Sequence, residues 1–326
     1  MTQELINLYS GKKIVITGCS GFIGGALISN LKSFDVKILG ISRKVQTSSC
    51  KHIEYLCGDV SSYTIWEKIV DFADIIFHLA GNTSVYEAEN DPEHSFISSV
   101  LPIMHLIKAT KKKNKKVRVV FASTATLYGF PKVFPVTEST LPNPITVYDL
   151  HKLFAENALE LANIQNILEN VSLRLANVYG PSSSISGSMD RGIVNRLTKE
   201  AILGVNPKVY GHGNYFRDYV FIDDVVTCFL LGGVLDRVSG KSFVVASGNS
   251  ITVYESFKLI AEEVTKVTGQ ELIVENTNWP EKANEIEKRN FLVDTQYFET
   301  SFGWKPKTNF KDGIKKLIIN FIDKTN

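Results

Sequence analysis

The chain has 326 residues, 44% of them hydrophobic, and its 36 basic and 34 acidic residues leave a net charge of +2. This length and apolar content suffice for a sizeable core in one large or two smaller domains. The balanced charge argues against a nucleic-acid-binding protein. Because the basic run at residues 111–116 ends a helical stretch, we interpret it as a solvated helix end rather than a binding patch.

The cysteine content and the hydropathy pattern indicate where the protein resides. The cysteines are Cys19, Cys50, Cys57 and Cys228. They have neither a metal-ligand spacing nor that of a disulfide framework, so we expect free thiols and no bound metal. Residues 1–11 are polar, and the most apolar stretch, residues 225–235, is too short to cross a bilayer. We therefore expect a cytoplasmic protein without a membrane partner.

The first half of the chain alternates short apolar runs with amphipathic stretches. The predicted strands, rich in Val, Ile and Phe, are residues 12–17, 36–41, 53–56, 75–79, 117–122 and 171–175. The predicted helices between them include residues 21–33, 95–112 and 152–166. This alternation implies right-handed crossovers and hence an α/β fold with a doubly wound parallel sheet.

After Gly180 the pattern changes. A polar loop at residues 181–188 precedes predicted helices at residues 191–203 and 253–267. We predict that residues 1–180 form the larger domain, which contains the parallel sheet, and that residues 216–232 return to it. Residues 181–215 and 233–326 are assigned to a smaller C-terminal lobe.

The segment Thr-Gly-Cys-Ser-Gly-Phe-Ile-Gly at residues 17–24 follows the first strand and opens the first helix. Gly18 permits a tight turn, Gly21 lets the backbone approach a pyrophosphate, and Gly24 lets helix and strand pack closely. The helix N-terminus adds N–H donors and a positive dipole end. This context predicts a dinucleotide site. Its loop residues are Gly18, Ser20, Gly21, Phe22, Ile23 and Gly24.

The end of the second strand bears on the choice between NAD and NADP. An acid that binds the adenosine ribose is expected about 20 positions beyond the glycine loop, but the strand ends in Ser42, Arg43 and Lys44. Ser42 removes the repulsion of a 2′-phosphate, and Arg43 can grip that phosphate or stack on adenine. These residues favour NADP(H), with NAD(H) as the alternative cofactor. In the alternative interpretation of the segment, it is an ordinary basic loop.

The ends of the third and fourth strands continue the predicted site. Asp59 is suited to accept a hydrogen bond from the adenine amino group, and Val60 follows it. Leu79, Ala80 and Gly81 are small or apolar, so a dinucleotide can lie across them. Each can also be a loop or packing residue, and their order behind the glycine loop favours cofactor contact.

Tyr148, Lys152 and Thr124 are the predicted catalytic group. The spacing of Tyr148 and Lys152 puts both on one helix face, where the ammonium is expected to lower the pKa of the phenol. Such a tyrosine can exchange a proton with a sugar hydroxyl while hydride moves. Thr124 ends the fifth strand, where open parallel sheets bind ligands, and can pass protons to Tyr148. Ser123 is the alternative for that role.

These residues resemble the extended short-chain dehydrogenase/reductase family, in its nucleotide-sugar epimerase, dehydratase and reductase branch. The shared motifs are TGCSGFIG at 17–24, HLAG at 78–81, STATLYG at 123–129, YDLHK at 148–152, RLANVYGP at 174–181, FRDYVFIDDV at 216–225 and FGWKPK at 302–307. The resemblance implies a Rossmann-like domain and a smaller lobe that binds a nucleotide-diphosphate sugar. It also implies that Thr124, Tyr148 and Lys152 form the catalytic triad, with Tyr148 and Lys152 contacting the cofactor.

The same resemblance implies substrate contacts. Asn177 and Arg217 match positions that contact the diphosphate, for which an amide and a guanidinium are apt. Val209 falls where the family covers the nucleobase, although a valine there can equally be an edge-strand packing residue. Ser123 and Thr124 are assigned to the sugar.

The chain also departs from the family pattern. Dehydratases carry an Asp-Glu pair where this chain has Ala125 and Thr126, so loss of water from C6 is not expected. Ser99 stands where many relatives have Asn. Many relatives have a second phosphate-binding arginine in the C-terminal lobe; Arg289 is the candidate here and is not assigned.

Three functions are compatible with these residues. The leading hypothesis is an NDP-4-keto-6-deoxyhexose 4-reductase, because family epimerases that recycle NAD keep the acid that Ser42 replaces. The alternative is an NDP-hexose 4-epimerase, similar to UDP-glucose 4-epimerase, which oxidises C4 and reduces it from the other face. A non-catalytic NADP-binding protein is the third, and the intact triad argues against it.

A homodimer is also predicted. The helical stretches 95–112 and 152–166 match those that pair two subunits in relatives. They carry the apolar residues Phe96, Met104, Leu106, Leu153, Phe154 and Leu161. In the alternative interpretation, these side chains only cover the sheet.

Overall fold

The structure is a computed structural model that describes residues 3–48, 50–183 and 192–325. Its strands are β1 (Lys13–Thr17), β2 (Lys37–Ser42), β3 (Ile53–Cys57), β4 (Ile75–His78), β5 (Arg118–Thr124), β6 (Glu169–Leu175), β7 (Asn177–Tyr179), β8 (Lys208–Tyr210), β9 (Phe216–Arg217), β10 (Tyr219–Phe221), β11 (Lys241–Val245), β12 (Ile251–Thr252) and β13 (Glu275–Thr277). Its helices are α1 (Gln3–Leu8), α2 (Phe22–Leu31), α3 (Tyr63–Phe72), α4 (Val85–Asn90), α5 (Pro92–Ser99), α6 (Leu101–Lys113), α7 (Val147–Ile164), α8 (Ile193–Ile202), α9 (Ile222–Val234), α10 (Val253–Thr268), α11 (Gln296–Phe302) and α12 (Phe310–Thr325).

The central layer is a parallel sheet with the strand order β11-β6-β5-β4-β1-β2-β3. The chain enters at β1, runs outward to β3, and then returns to β4 on the other side of β1. Helices cover both faces of the sheet, α2 and α9 on one and α3, α6 and α7 on the other. This arrangement confirms the predicted Rossmann-like, doubly wound fold. The reversal at β1 and β4 opens a crevice at the carboxyl ends of the strands, where such sheets bind ligands.

One strand of this sheet was assigned to the lobe in the sequence analysis. Residues 241–245 form β11, which pairs with β6 in parallel and buries Phe243, Val244 and Val245. Their sequence, Lys-Ser-Phe-Val-Val, is a short apolar run that follows a helix. Such a run does not reveal which distant strand it pairs with, and here it pairs with β6, more than 60 positions earlier in the chain.

The predicted helix at residues 95–112 is divided at Val100 into α5 and α6. Pro102 lies in the first turn of α6 and has no N–H to donate to the Ser98 carbonyl, which interrupts a continuous helix. At the end of α6, Lys112 and Lys113 pair with Glu67 and Asp71, both at 2.7 Å. These exposed ion pairs agree with a solvated helix end.

Outside the central sheet, the described residues form short strand pairs and a group of packed helices. β8 pairs with β13, β9 with β12 and β7 with β10, and α8, α10 and α12 pack together. The predicted helix at 191–203 appears as α8; its first residue, Arg191, and residues 184–188 of the predicted polar loop lie outside the described residues. The helix predicted at 253–267 appears as α10. In the part of the chain that the structure describes, no helix has the length and apolarity needed to span a bilayer.

Candidate active site

The glycine loop between β1 and α2 is packed so closely that side chains do not fit at two positions. Gly18 has φ +68°, and a Cβ there would lie 2.9 Å from the Ala80 nitrogen. A Cβ on Gly24 would lie 2.3 Å from the Gly18 carbonyl oxygen. The loop is thereby held between the end of β4 and the first turn of α2, which aims N–H groups at the space above it.

Above this loop lies a cavity of about 650 Å³ at the carboxyl ends of the strands. The glycine loop contributes Gly18, Ser20 and Gly21, and the end of β4 contributes Leu79, Ala80 and Gly81. The remaining residues assigned to the loop lie below the cavity: Phe22 is buried, Ile23 packs against the core, and Gly24 supports Gly18. The volume is in the range of cofactor sites.

The ribose end of the cavity is formed by Ser42, Arg43 and Lys44. The Ser42 hydroxyl lies 3.1 Å from that of Ser20 and accepts a hydrogen bond from the Lys44 N–H at 3.1 Å. This buried hydroxyl therefore ties β2 to the glycine loop. Arg43 and Lys44 are exposed beside it, as an anion-binding role requires.

Asp59 and Val60 line the cavity beside these residues, after the neighbouring strand β3. The Asp59 carboxylate accepts a hydrogen bond from the Ser61 N–H at 2.8 Å. This bond, and to a smaller extent the Arg43 charge, lower the pKa of Asp59. The carboxylate is thus an ionised acceptor at the place predicted for the adenine amino group.

Lys152 lies one helical turn beyond Tyr148 on α7, beneath the end of β5. Its Nζ donates to the Ala122 carbonyl at 2.8 Å and lies 4.8 Å from the centre of the Phe121 ring. The same atom is 5.9 Å from the centre of the Tyr148 ring. Burial lowers the pKa of Lys152 to about 8. The bond to Ala122 and the contact with the Phe121 ring hold the Lys152 side chain in one orientation.

The pKa of Tyr148 differs in direction from the expectation. Burial raises it, the neighbouring Asp149 carboxylate raises it further, and a hydrogen bond with Thr124 opposes them. The expectation that Lys152 lowers this pKa was wrong for this structure, because desolvation of the phenolate and the adjacent carboxylate dominate.

Thr124 and Ser123 end β5 with their side chains on opposite faces, as alternation along a strand requires. The Thr124 hydroxyl accepts a hydrogen bond from the Thr126 N–H at 3.2 Å and lies 2.7 Å from the Thr126 hydroxyl. The buried Ser123 hydroxyl has no hydrogen-bond partner among the described residues. Thr124, Tyr148 and Lys152 are therefore brought together, and Ser123 points away from them.

Two arginines, Arg217 on β9 and Arg289, lie close together. Arg217 is buried and donates to the backbone carbonyls of Phe216, Glu287 and Arg289. Arg289 is also buried, and its Nε lacks a partner in the described part of the chain. Burial, followed by the charge of Arg217, lowers the pKa of Arg289 to about 10. Two adjacent guanidinium groups with a free donor are suited to a polyanion, and the sequence left Arg289 unassigned.

The other two predicted substrate contacts lie in the same lobe region. Asn177 is half-buried at the start of β7, and its amide donates to the Asp218 carbonyl at 3.0 Å. Val209 is buried in the hydrophobic core, which agrees with the packing alternative for this residue. Its contact with a nucleobase stays a prediction.

Several residues near the site were missed by sequence reasoning. Asn82, Ile97 and Ser98 line the cavity, and Asn82 directly follows the HLAG motif, a position that a search of the residues after β4 would reach. Thr126 and Asp149 contact the catalytic group. Their signal was adjacency alone, since each lies within two residues of a predicted catalytic residue.

Comparisons with known proteins agree with this geometry. The model of the NAD dependent epimerase/dehydratase family matches residues 14–246. A putative UDP-glucose 4-epimerase of Methanocaldococcus jannaschii is 27% identical over 321 residues, 96% of this chain and 99% of that protein. The UDP-glucose 4-epimerase of Mycolicibacterium smegmatis is 27% identical over 322 residues, with the same coverage.

The fold is shared with solved structures as well. The UDP-glucose 4-epimerase of Thermotoga maritima, solved with UDP-glucose, is 26% identical with a TM-score of 0.84, and the match covers 96% of this chain and 99% of that one. The matches thus extend over nearly the full length of each protein. The chain therefore belongs to the NAD dependent epimerase/dehydratase family, the extended short-chain dehydrogenase/reductase group that its motifs resemble, and is an NAD(P)-dependent enzyme.

Proposed function

We propose that the protein is an NDP-hexose 4-epimerase that inverts C4 of a nucleotide-diphosphate sugar such as UDP-glucose. The observation that carries this proposal is the full-length similarity to UDP-glucose 4-epimerases from two organisms. The arrangement of Thr124, Tyr148 and Lys152 at the end of β5 and the start of α7 supports it. These similarities favour the epimerase over the 4-reductase that the residues at the end of β2 suggested.

The cavity fits a nicotinamide dinucleotide, because its glycine loop leaves no room for side chains and its wall carries the acceptor Asp59. The cofactor, held by the glycine loop and by the residues at the ends of β2 and β3, would supply reversible hydride transfer at C4. Tyr148 takes the proton of the C4 hydroxyl and gives it back, Thr124 bonds to the reacting oxygen, and Lys152 holds Tyr148 and the cofactor ribose in place. Arg217 and Arg289 hold the diphosphate while the keto sugar rotates and presents its other face.

A 4-reductase is the second candidate. It is favoured by the hydroxyl of Ser42, which stands where a ribose-binding acid would be and is flanked by the exposed Arg43 and Lys44. The same feature supports our proposal that NADP(H) binds more tightly than NAD(H). The proposed preference for NADP(H) and the proposed epimerase activity are independent of each other, since an epimerase returns its hydride and can use either dinucleotide.

The test is a pair of assays on the purified protein with each dinucleotide added. An epimerase interconverts UDP-glucose and UDP-galactose without net change in absorbance at the NAD(P)H band. A 4-reductase consumes NADPH stoichiometrically when given an NDP-4-keto-6-deoxyhexose. Consumption of NADPH with no interconversion of the two hexoses would contradict the epimerase proposal.

Tyr148→Phe tests the assignment of the proton-transfer group. The change removes one oxygen and keeps the ring, so turnover should fall by about 10²–10⁴-fold, while cofactor affinity changes little. Lys152→Met should weaken both turnover and cofactor affinity, and Thr124→Val should lower turnover with a modest effect on binding. Single-turnover kinetics and cofactor titration measure the two quantities separately. A Tyr148→Phe protein with near-normal turnover would exclude Tyr148 from this role.

A further inference from the structure

Asp149 is a fully buried carboxyl group that the proposed chemistry leaves without a role. It follows Tyr148 in the first turn of α7, and none of its surface is exposed. Its Oδ1 is hydrogen-bonded to the Thr126 hydroxyl, and its Oδ2 accepts from the Thr146 hydroxyl at 2.7 Å. In the part of the chain that the structure describes, no basic side chain forms an ion pair with it. A buried carboxyl group without a paired cation favours its neutral form, because an isolated charge is costly to remove from water.

The charges around Asp149 agree with the neutral form. Burial, the largest effect, raises the pKa of Asp149, and the Glu89 charge from α4 raises it further. The bonds with Thr126 and Thr146 and the charge of Arg289 lower it without reversing the net upward direction. The positive charge of Arg289 is thus outweighed by the removal of the carboxyl group from water.

An ionised Asp149 would also act against the adjacent tyrosine. Burial raises the pKa of Tyr148, and a negative charge at Asp149 raises it further, although the proposed proton transfer needs the phenolate form of Tyr148. The two residues are neighbours on α7, and two like charges so close disfavour each other. A neutral Asp149 removes this repulsion, so the phenolate of Tyr148 forms more easily.

A line of hydroxyl groups leads from Asp149 to the end of β5. The Thr126 and Thr124 hydroxyls lie 2.7 Å apart, and the Thr126 N–H donates to the Thr124 hydroxyl oxygen at 3.2 Å. Each hydroxyl has a single proton to donate, so the protonation of Asp149 sets the direction of the whole line. Because Oδ2 accepts from Thr146, Oδ1 is the oxygen that can carry a proton toward Thr126.

The two directions leave Thr124 in different states. A carboxylate only accepts, so the Thr126 proton would point to Asp149, the Thr124 proton would point to Thr126, and none would remain for a ligand. A carboxylic acid instead donates to Thr126, and Thr126 donates to Thr124. The Thr124 oxygen then accepts from the N–H and the hydroxyl of Thr126, and its own proton is left for the ligand.

We propose that Asp149 is a neutral carboxylic acid in the active protein and that, through Thr126, it directs the Thr124 proton to the C4 oxygen of the sugar. Asp149 is thus a positioning residue: it does not touch the substrate, and it neither gains nor loses a proton during the reaction. Thr124 bonds to the C4 oxygen as a donor, so the proton of the C4 hydroxyl remains available to Tyr148. The assignment of the C4 oxygen rests on the proposed function, whereas the protonation of Asp149 does not.

A purely structural role makes a different prediction. The Asp149 N–H donates to the Thr146 hydroxyl at 3.2 Å, and an ionised acid in a first turn stabilises the N-terminus of its helix. In that role Asp149 carries its charge at neutral pH, and its bond with Thr126 has no effect on Thr124. The protonation state of Asp149 and its bond to Thr126 therefore discriminate between the two roles.

The first measurement is infrared spectroscopy of the carboxyl group, which needs no substrate. At neutral pH the parent protein should show the C=O stretching band of a protonated carboxyl group that Asp149→Asn lacks. Thr126→Val should move this band to higher frequency, because the acid loses the acceptor of its proton. Thr110→Val is the matched control and should leave the band in place, since it removes a buried hydroxyl that donates to the Leu106 carbonyl within α6 at 2.8 Å.

The second measurement is kcat against pH for the interconversion of UDP-glucose and UDP-galactose. Asp149→Ala and Thr126→Val each remove a hydrogen bond from the line and should lower kcat by about 2–10-fold with little change in KM. Asp149→Asn should recover part of the loss of Asp149→Ala, because its amide N–H can donate to Thr126. As the pH rises, the parent protein should lose kcat where the infrared band disappears, and Asp149→Asn should lack this step.

The proposal is overturned if the parent protein shows no such band at neutral pH, or if Thr126→Val leaves the band where it is. It is also overturned if Asp149→Asn is no more active than Asp149→Ala. A protein that has the band and its dependence on Thr126, but does not interconvert the two hexoses, would contradict the proposed function and not the neutral Asp149 that donates to Thr126.

Discussion

Ser42 and Arg43 lie at the end of β2, where we propose that the adenosine ribose of the dinucleotide binds. The Ser42 hydroxyl is bonded to the Lys44 N–H and to the glycine loop, and so presents no carboxylate to a 2′-phosphate. The Arg43 guanidinium is exposed on the cavity wall. Charge-assisted bonds of a guanidinium to a phosphate are stronger than those between neutral groups.

Arg43→Ala should therefore weaken NADPH binding much more than NADH binding, because only NADPH carries the 2′-phosphate. Titration of both cofactors by fluorescence gives the two dissociation constants. Lys37→Ala, which removes an exposed lysine at the opposite end of β2, is the control and should change neither. Equal affinities for NADPH and NADH in the parent protein would contradict the predicted preference.

At this scale the sequence predicted the residues that belong to motifs and missed those that act through packing. Tyr148 and Lys152 were identified as a pair because residues four positions apart lie on one face of any helix, whatever surrounds it. Asp149 was not identified, because an acid in the first turn of a helix is common at the surface. Only the tertiary fold brings the Thr126 hydroxyl to its carboxyl group. The position of Arg289 depends on the fold of residues 281–289, which no local sequence pattern determines, so its role could not be assigned from the sequence.

At the scale of elements, the start of α2 and the glycine loop form one packed unit. The Cα of Gly24 faces the carbonyl of Gly18 with no room for a methyl group. The position of the N–H groups at the start of α2 therefore depends on a helix–loop distance that only glycine allows. We therefore expect cofactor affinity and local stability to be coupled through this contact.

Gly24→Ala should lower stability by about 1–3 kcal/mol, as overpacking does, and should also weaken dinucleotide binding because α2 must move away from the loop. Gly269→Ala is the matched control: its φ of +73° strains alanine, but nothing lies within 4 Å of the added Cβ. The control should lose stability and keep cofactor affinity. Thermal unfolding and cofactor titration measure the two effects, and a Gly24→Ala protein with unchanged cofactor affinity would contradict the coupling.

The strands of the first half were predictable because each is a short apolar run bounded by amphipathic or polar segments. Two features were not predictable from the sequence: the division of the helix at Val100, and the addition of β11 to the central sheet. The first depends on a single proline that a mainly helical pattern obscures. The second depends on pairing with β6, a long-range contact that periodicity does not contain.

At the scale of the whole molecule, α5, α6 and α7 present apolar side chains to solvent. Leu150, Phe154 and Leu161 on α7 are each about half exposed, as are Phe96 on α5 and Met104 on α6. By contrast, Leu106 is buried and Leu153 half-buried, so these two cover the sheet. Apolar stripes of this kind on adjacent helices are typical of subunit interfaces.

We therefore expect a dimer of twice the 36.3 kDa chain mass, measurable by light scattering at micromolar concentration. Leu161→Glu should produce monomers, because it puts a charge into the apolar stripe of α7. Leu203→Glu, at a still more exposed leucine after α8, is the control and should leave the mass unchanged. A parent protein that elutes only as a 36.3 kDa species would exclude the dimer.

The position of β11 has a consequence for how the molecule can be divided. Its residues 241–245 close the edge of the sheet beside β6, and α9 packs on the sheet from the same part of the chain. A fragment that ends at residue 180 would keep the glycine loop and all three triad residues. It would also expose the backbone N–H and C=O groups of β6 and the apolar surface beneath α9. We therefore expect the two parts of the chain to unfold together, and a fragment that ends at residue 180 to be less stable than the whole chain.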